Sequence, residues 1–413
     1  MSKPENSVSG GIKTVFWLCL FIGSTGAFFI WKDLADISQW IITSPREHTM
    51  LVWYYRWEIT IASFLAMGVA GWLWWNNRAL LATKWLVLIA GLAFFNWYTG
   101  FVNPDLMMRA RQHDGLIVSI EEAKRYVKPD DSVIVIDING SARAHPDHQV
   151  LRPHVAGNEE KPIGGENVVM TYCGLTNMGI AYTPVIDGQP LDLRPRSQLQ
   201  NNLLMVDDIS GEPVQQMWGM KEADVVAGRG GRMKEWATFR MPFAKFEQAY
   251  PNGEVFINDY VSDGYMTTFW ENPVKRIYEN IADFLFAMAI DTQRELERPT
   301  FPTIDNIDTR LPGKTLVWGV DISDDFVAYT EEFVRSQANP INTAIGGRPV
   351  VVTYDKQYQS LGIFFNDTGE PVETIDFYGN ANGHKLERVN TVKAGAYWVI
   401  WANFFPGAEL NRA

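Results

Sequence analysis

Cysteine is nearly absent from this chain: Cys19 and Cys173 are the only two in 413 residues, far apart and in different surroundings. That scarcity excludes a disulfide framework as the source of stability. Histidine is almost as rare, with six residues, and basic side chains are outnumbered by acidic ones, 36 against 48, for a net charge of -12. No basic stripe exists to neutralise phosphates, which argues against a nucleic-acid surface. Phosphate-loop, dinucleotide-binding and zincin motifs are missing as well, so nothing points to nucleotide chemistry. Tryptophan, by contrast, is plentiful: sixteen residues, many of them near the N-terminus, as membrane proteins often have.

The first hundred residues contain three runs without a charged side chain, at 14–31, 59–75 and 85–102. Each approaches the roughly 20 residues that a helix needs to cross a bilayer. The sequence therefore predicts a three-helix transmembrane anchor over residues 1–105, with the lipid bilayer as its first partner. A cleaved signal peptide is the alternative for the first run, but no small-residue cleavage motif follows it. Lys3 and Lys13 precede the first span, and Arg78 and Lys84 flank the short connection between the second and third. The positive-inside bias then puts that connection in the cytoplasm and everything after Val102 outside, so the expected location is a bacterial inner membrane with the large C-terminal part facing the periplasm. Trp40, Trp53, Tyr54, Tyr55 and Trp57 read as an interfacial aromatic belt. Ala62, Ala66 and Ala70, with Gly68 and Gly71 nearby, form a small-residue stripe for close helix approach, either within this chain or with a partner subunit.

Beyond Gly115 short β-branched runs dominate, bounded by Gly, Pro, Asn and Asp: Ser132 to Ile138, Asn167 to Tyr172, Asn202 to Val206, Thr315 to Ile322 and Pro349 to Tyr354. The fold class expected is α+β and β-rich. The stretch Val133 to Tyr182 has a weaker copy downstream, in which V-D-I-S-D-D-F-V-A-Y from Val320 is followed by I-G-G-R-P-V-V-V-T-Y from Ile345. In register, Asp137 falls on Asp321 and Tyr172 on Tyr354, whereas Cys173 falls on Asp355 and His145 on Tyr329. F-E-Q-A-Y-P-N-G-E-V from Phe246 is echoed by W-A-N-F-F-P-G-A-E-L from Trp401. These echoes predict two tandem related β-rich repeats, 115–260 and 313–413. A linker at 261–312 separates them and carries an amphipathic helix over 273–297. Asn272 and Pro273 start that helix, and Ile277, Ile281, Phe284, Leu285 and Met288 trace its apolar face.

S-I-E-E-A-K from Ser119, N-G-S-A-R-A from Asn139, I-G-G with V-V-M-T-Y-C, N-L-L-M-V-D-D from Asn202, and F-P-T with R-L-P-G-K from Phe301 together resemble the DUF3179 family. Its members are mostly extracytoplasmic proteins of unestablished biochemical role. The family pattern Y-C-x-L-C has Thr176 in place of its second cysteine here, which removes a dithiol reading for this chain.

Chemistry is expected around Cys173, His154, His145 and His148, all in the first repeat. A thiolate with imidazoles is a soft ligand set for copper or zinc, with Met178 as a weak further ligand for copper. The spacing matches no recognised metal signature. Two other readings stand beside it: a buried cysteine packing as a small hydrophobe, and a catalytic thiol activated by His154 or His145 with Asp137 or an amide orienting the imidazole. Asn202, Asp207, Gln215 and Gln216 either line the same pocket or serve turns and strand ends. The function expected is a membrane-anchored extracytoplasmic binding or accessory subunit of a larger membrane complex, with membrane-protein partner subunits and no nucleic acid. An enzyme using a Cys–His pair is the alternative.

Overall fold

Val133 and Val135 enter one apolar core while Ile134, Ile136 and Ile138, alternating with them, enter another, as the two-residue period of a strand requires. A strand with apolar groups on both faces belongs inside a layered domain, and the computed structural model of the chain places it there. Residues 5–34, 36–78, 81–99, 112, 115–151, 153–157, 159–258, 270 and 273–413 are described. The chain divides into two compact units, 1–108 with 301–303, and 109–300 with 304–413.

In the first unit, α1 (Glu5–Leu34) and α3 (Arg56–Asn76) are joined by α2 (Arg46–Tyr54), and α4 (Lys84–Trp97) follows. Two helices, Gly10–Leu34 and Arg56–Asn76, are long and apolar enough to cross a membrane. The expectation of three is corrected: α4 has 14 residues, about 21 Å at 1.5 Å per residue, against a hydrocarbon core of roughly 30 Å. Counting uncharged residues had included Asn96 and Thr99, whose side chains bond to the carbonyls of Leu92, Gly23 and Phe95; positions 100–102 lie outside the described residues. The small-residue contact also differs from the expected stripe. Gly23 and Gly26 of α1 meet Met67 and Ser63 of α3 so closely that a Cβ on either glycine would overlap them, whereas Gly68 and Gly71 face open space. Of the expected alanines, Ala66 and Ala70 are buried and Ala62 is exposed. Trp53 is likewise buried on a helix, while Tyr54, Tyr55 and Trp57 are exposed.

The second unit is α+β and β-rich. Its first sheet is built from β1 (Leu116–Ser119), β2 (Ser132–Ile138), β3 (Ser141–Pro146), β12 (Thr238–Pro242) and β13 (Glu254–Ile257), in the order β1-β13-β3-β2-β12. Between β3 and β12 the chain forms β4 (Val155–Gly157), β5 (Val169–Cys173) and β6 (Met178–Tyr182), which pair with β11 (Glu235–Trp236). A third sheet holds β7 (Leu193–Leu199), β8 (Asn202–Asp207), β9 (Pro213–Gln215) and β10 (Met220–Lys221). Helix α5 (Phe243–Ala249) leads from β12 into β13, which runs parallel to β3.

Further on, β14 (Leu316–Ile322), β15 (Asp325–Thr330), β19 (Val392–Tyr397) and β20 (Glu409–Asn411) form a sheet ordered β19-β14-β15-β20. Strands β16 (Ile341–Ile345), β17 (Arg348–Asp355) and β18 (Ser360–Phe365) form another, and the chain passes from β19 to β20 through a helix, Trp398–Phe404. Its Trp401 is fully buried against Gly319, where any Cβ would strike the ring. Before this sheet comes α6 (Pro273–Glu295), and on its expected apolar face Ile277, Ile281 and Phe284 are exposed. Among its described residues Ile290 and Gln293 are buried, and the Gln293 amide donates to the carbonyl of Leu175. Asn272, the expected cap, lies outside the described residues.

Candidate functional site

Cys173 ends β5 and faces Met178 across the hairpin. Its thiol is buried and reaches the carbonyl of Asn201 at 3.8 Å, with no histidine nitrogen in hydrogen-bond range among the described residues. Burial pushes the thiol pKa up, opposed by the neighbouring amides of Thr176, Leu175 and Leu203. An activated thiolate requires the opposite shift.

The three histidines serve separate surroundings. His145, on β3, is buried and stacks on Phe256 at 5.9 Å; burial first, then Arg143, lowers its pKa to about 3, so it is neutral at physiological pH. His148 sits partly exposed on the turn after β3, 3.2 Å from the Tyr126 carbonyl and 3.8 Å from Asp131. His154 adopts a left-handed φ of 56°, unusual for a residue with a Cβ. It is fixed there on both sides of Tyr172, whose N–H donates to the His154 carbonyl (2.6 Å) and whose carbonyl meets His154 Nδ1 (3.0 Å). Among the described residues no three His, Cys, Asp or Glu side chains gather as a metal set. Cys173, His154, His145 and His148 thus share a region of the chain but not one ligand sphere.

Asp137 orients no imidazole; its carboxylate accepts from Tyr250 Oη (2.9 Å) and the Gly140 N–H (3.0 Å). Asn202 and Gln216 form a buried network in which Asn202 donates to Gln216 Oε1, and Gln216 donates to Thr171 and to the Met178 carbonyl. This network ties the β7–β10 sheet to β5 and β6. Asp207 caps its turn through the amides of Ile209 and Ser210, and Gln215 is wholly buried on β9. These positions hold strands and turns rather than line a pocket.

A cavity of the unit lies elsewhere, walled in part by the N-G-S-A stretch from Asn139 and by Tyr250 to Glu254. A cleft of about 1250 Å³ runs between the β2–β3 turn (Asp137 to Ala142), the Ala249 to Glu254 connection, Lys234 to Ala237, and the Lys385 to Arg388 segment, with Arg348, Phe365 and Tyr378 from the second half. A side cavity of about 280 Å³ shares Lys234, Glu235 and Asn390 with it and is lined by Trp218, Asp321 and Lys393. Glu235 and Lys393 form a buried ion pair there. Burial raises the pKa of Glu235 against the pull of Lys393, and that of Asp321 likewise. A further local signal lies in Lys385 and Arg388, which stand close together after the turn residues Asn382 and Gly383 in an otherwise acidic chain.

The walls stay in place because the two halves are stitched across their backbones. Arg240 of β12 donates to Ala394 O (2.8 Å), Asn177 O (2.8 Å), Ser132 Oγ (2.9 Å) and Asp147 Oδ2 (2.6 Å). Asn177 donates to Gly395 O, Tyr397 N–H to Thr176 O, and Tyr378 Oη to Ala249 O.

Residues 113–408 match the family model described as "Protein of unknown function (DUF3179)", and the chain belongs to that family. No curated protein and no solved structure matches it.

Proposed function

We propose that this protein is a membrane-anchored, extracytoplasmic binding or accessory subunit of a larger membrane complex, and that the cleft is where it holds its ligand or partner. The cleft carries the reading. Its volume of about 1250 Å³ exceeds the roughly 300–1,000 Å³ of common ligand pockets, and side chains from both halves line it. Two apolar helices of spanning length support the anchor. In this reading Gly10–Leu34 and Arg56–Asn76 sit in an inner membrane; with two spans, a second unit facing the periplasm has the N-terminus on the periplasmic side as well, the reverse of the orientation expected from three spans.

The cleft is framed by two related repeats. In support, β2 and β3 pair in a register that β14 and β15 repeat at a constant offset: Asp137↔Ala142 and Asp321↔Phe326, Val133↔Pro146 and Val317↔Thr330. Cys173↔Met178 and Asp355↔Ser360 are matched in the same way. Gly164 and Gly346 have φ of 58° and 56°, and a Cβ on either would strike the carbonyl of Ile138 or Ile322 respectively.

The proposal includes neither a copper or zinc ion nor a Cys–His pair, since no geometry among the described residues favours them. Full-length protein purified in mild detergent is expected to retain a stoichiometric ligand or subunit in native mass spectra, and a Ser141→Trp plug on the exposed cleft wall to release it while the fold stays intact. Identical spectra for the two proteins, each of a bare chain, would sink the reading.

A further inference from the structure

The cleft holds charges of both signs, but the two signs are not equally satisfied. Glu254 is paired with Arg143 at 2.7 Å, and Glu235 is held by Lys393. Asp137 accepts from Tyr250 and Gly140. Among the acids of the wall only Glu387, on the exposed rim, has no internal side-chain partner among the described residues.

The cations differ. Lys234, Lys385 and Arg388 have no carboxylate at ion-pair distance among the described residues, and each meets aromatic rings instead. The Arg388 guanidinium lies 4.0 Å from the Phe239 ring centroid, 4.6 Å from that of Phe364 and 5.0 Å from that of Phe377. Of the five N–H donors of a guanidinium, one is spent on the Phe377 carbonyl at 2.6 Å. Burial lowers the pKa of Arg388 to about 10 even with Tyr250, Asp137, Asp355 and Asp376 opposing it; it stays charged at neutral pH. Trp218 Nε1, a pure donor, is buried in the side cavity without an acceptor. Glu387 on the rim and Asp321 in the side cavity aside, what is left without a partner is therefore donors and positive charge, in a chain whose net charge is -12.

We propose that the cleft binds an anionic ligand, through a carboxylate or phosphate group seated on Arg388 with Lys385 and Lys234 beside it. This rests on the reading of the cleft as the binding site and names the class of ligand. A planar guanidinium matches either oxyanion in a two-point contact, and the rings of Phe239, Phe364 and Phe377 pack around it.

The test is calorimetric titration of the full-length protein in detergent, at fixed ionic strength, with citrate, inorganic phosphate, spermidine and maltotriose as probes. Citrate, phosphate or both are expected to bind, and which of them binds identifies the oxyanion. Arg388→Gln is expected to weaken that binding at least tenfold, and Lys385→Gln, at an exposed position that leaves folding untouched, severalfold. Binding of spermidine or maltotriose alone would overturn the anionic assignment while leaving the cleft as a binding site. Anion binding unchanged in Lys385→Gln and in folded Arg388→Gln would overturn it too, as would no binding of any probe. Failure of the binding reading itself appears separately, in the Ser141→Trp comparison.

Discussion

The sheet containing β2 and the sheet containing β14 run their corresponding strands in the same order, with a parallel last strand entered from a seven-residue helix. Their side chains differ at positions of equal register. Where the first has His145, Cys173, Arg240 and Tyr250, the second has Tyr329, Asp355, Ala394 and Phe405. In the first half these polar groups are mostly turned inward and satisfied by backbone, as with Arg240, whose Nε reaches the carbonyl of its own counterpart, Ala394. The difference teaches that Arg240, through the Ala394 carbonyl, and Tyr250, against the rings of Phe377 and Tyr378, join the first half to the second, while Cys173 and His145 pack within the first. The cleft is a product of that joining.

The strongest way to break the comparison is to cut the join. Arg240→Met removes four hydrogen bonds and strands Asp147, whose Oδ1 already lacks a partner. Breaking one side of a buried ion pair costs about 3–5 kcal/mol. Urea unfolding of the full chain is expected to register a loss of that size; a change below about 1 kcal/mol would mean the halves hold together without it.

Next in size are the paired turns. Gly164→Ala and Gly346→Ala each place a Cβ against a carbonyl at positive φ, and each is expected to cost about 2–3 kcal/mol. Gly165→Ala and Gly347→Ala, with open space around them, carry only the conformational penalty of about 1–2 kcal/mol. Matching losses at Gly164 and Gly346 in thermal melts sharpen the equivalence of the halves, and a gap larger than about 2 kcal/mol dissolves it.

The smallest effect separates His145 from Tyr329. With a folded pKa of about 3 against an ordinary value of 6.5, the imidazole is protonated first in the unfolded chain as pH falls. Its contribution is thus intact above about pH 6.5 and is lost on acidification towards pH 3. Between pH 7 and pH 5 the loss amounts to about 2 kcal/mol. His145→Phe, which keeps a ring against Phe256, is expected to flatten that part of the stability profile. An unchanged slope would show that His145 is not held neutral by its surroundings.

Much of the backbone plan was legible in the chain. Alternating Val and Ile in Ser132–Ile138 announced a strand, and Gly164-Gly165 and Gly346-Gly347 announced turns, because strand period and positive φ are local properties. The third membrane span was misjudged because absence of charge is a weaker criterion than continuous apolar helix, and Asn96 and Thr99 interrupt it. Cys173 and the histidines looked like a site because they are rare and close in sequence. Successive strand residues point to opposite faces, however, and a turn between strands carries neighbours apart. Sequence proximity therefore did not become a shared sphere.

By itself the sequence determined the class: an acidic, cysteine-poor chain with apolar N-terminal helices and a β-rich region of the DUF3179 family. Those features follow from composition and short-range periodicity, which each segment carries alone. Only the tertiary structure decided where unsatisfied charge remains. Arg388 and Lys234 are more than 150 positions apart, and whether a cation finds a carboxylate or is left facing a cavity depends on which distant strands are brought together. The pairing of charges is a property of the packed halves, and no stretch of the chain states it.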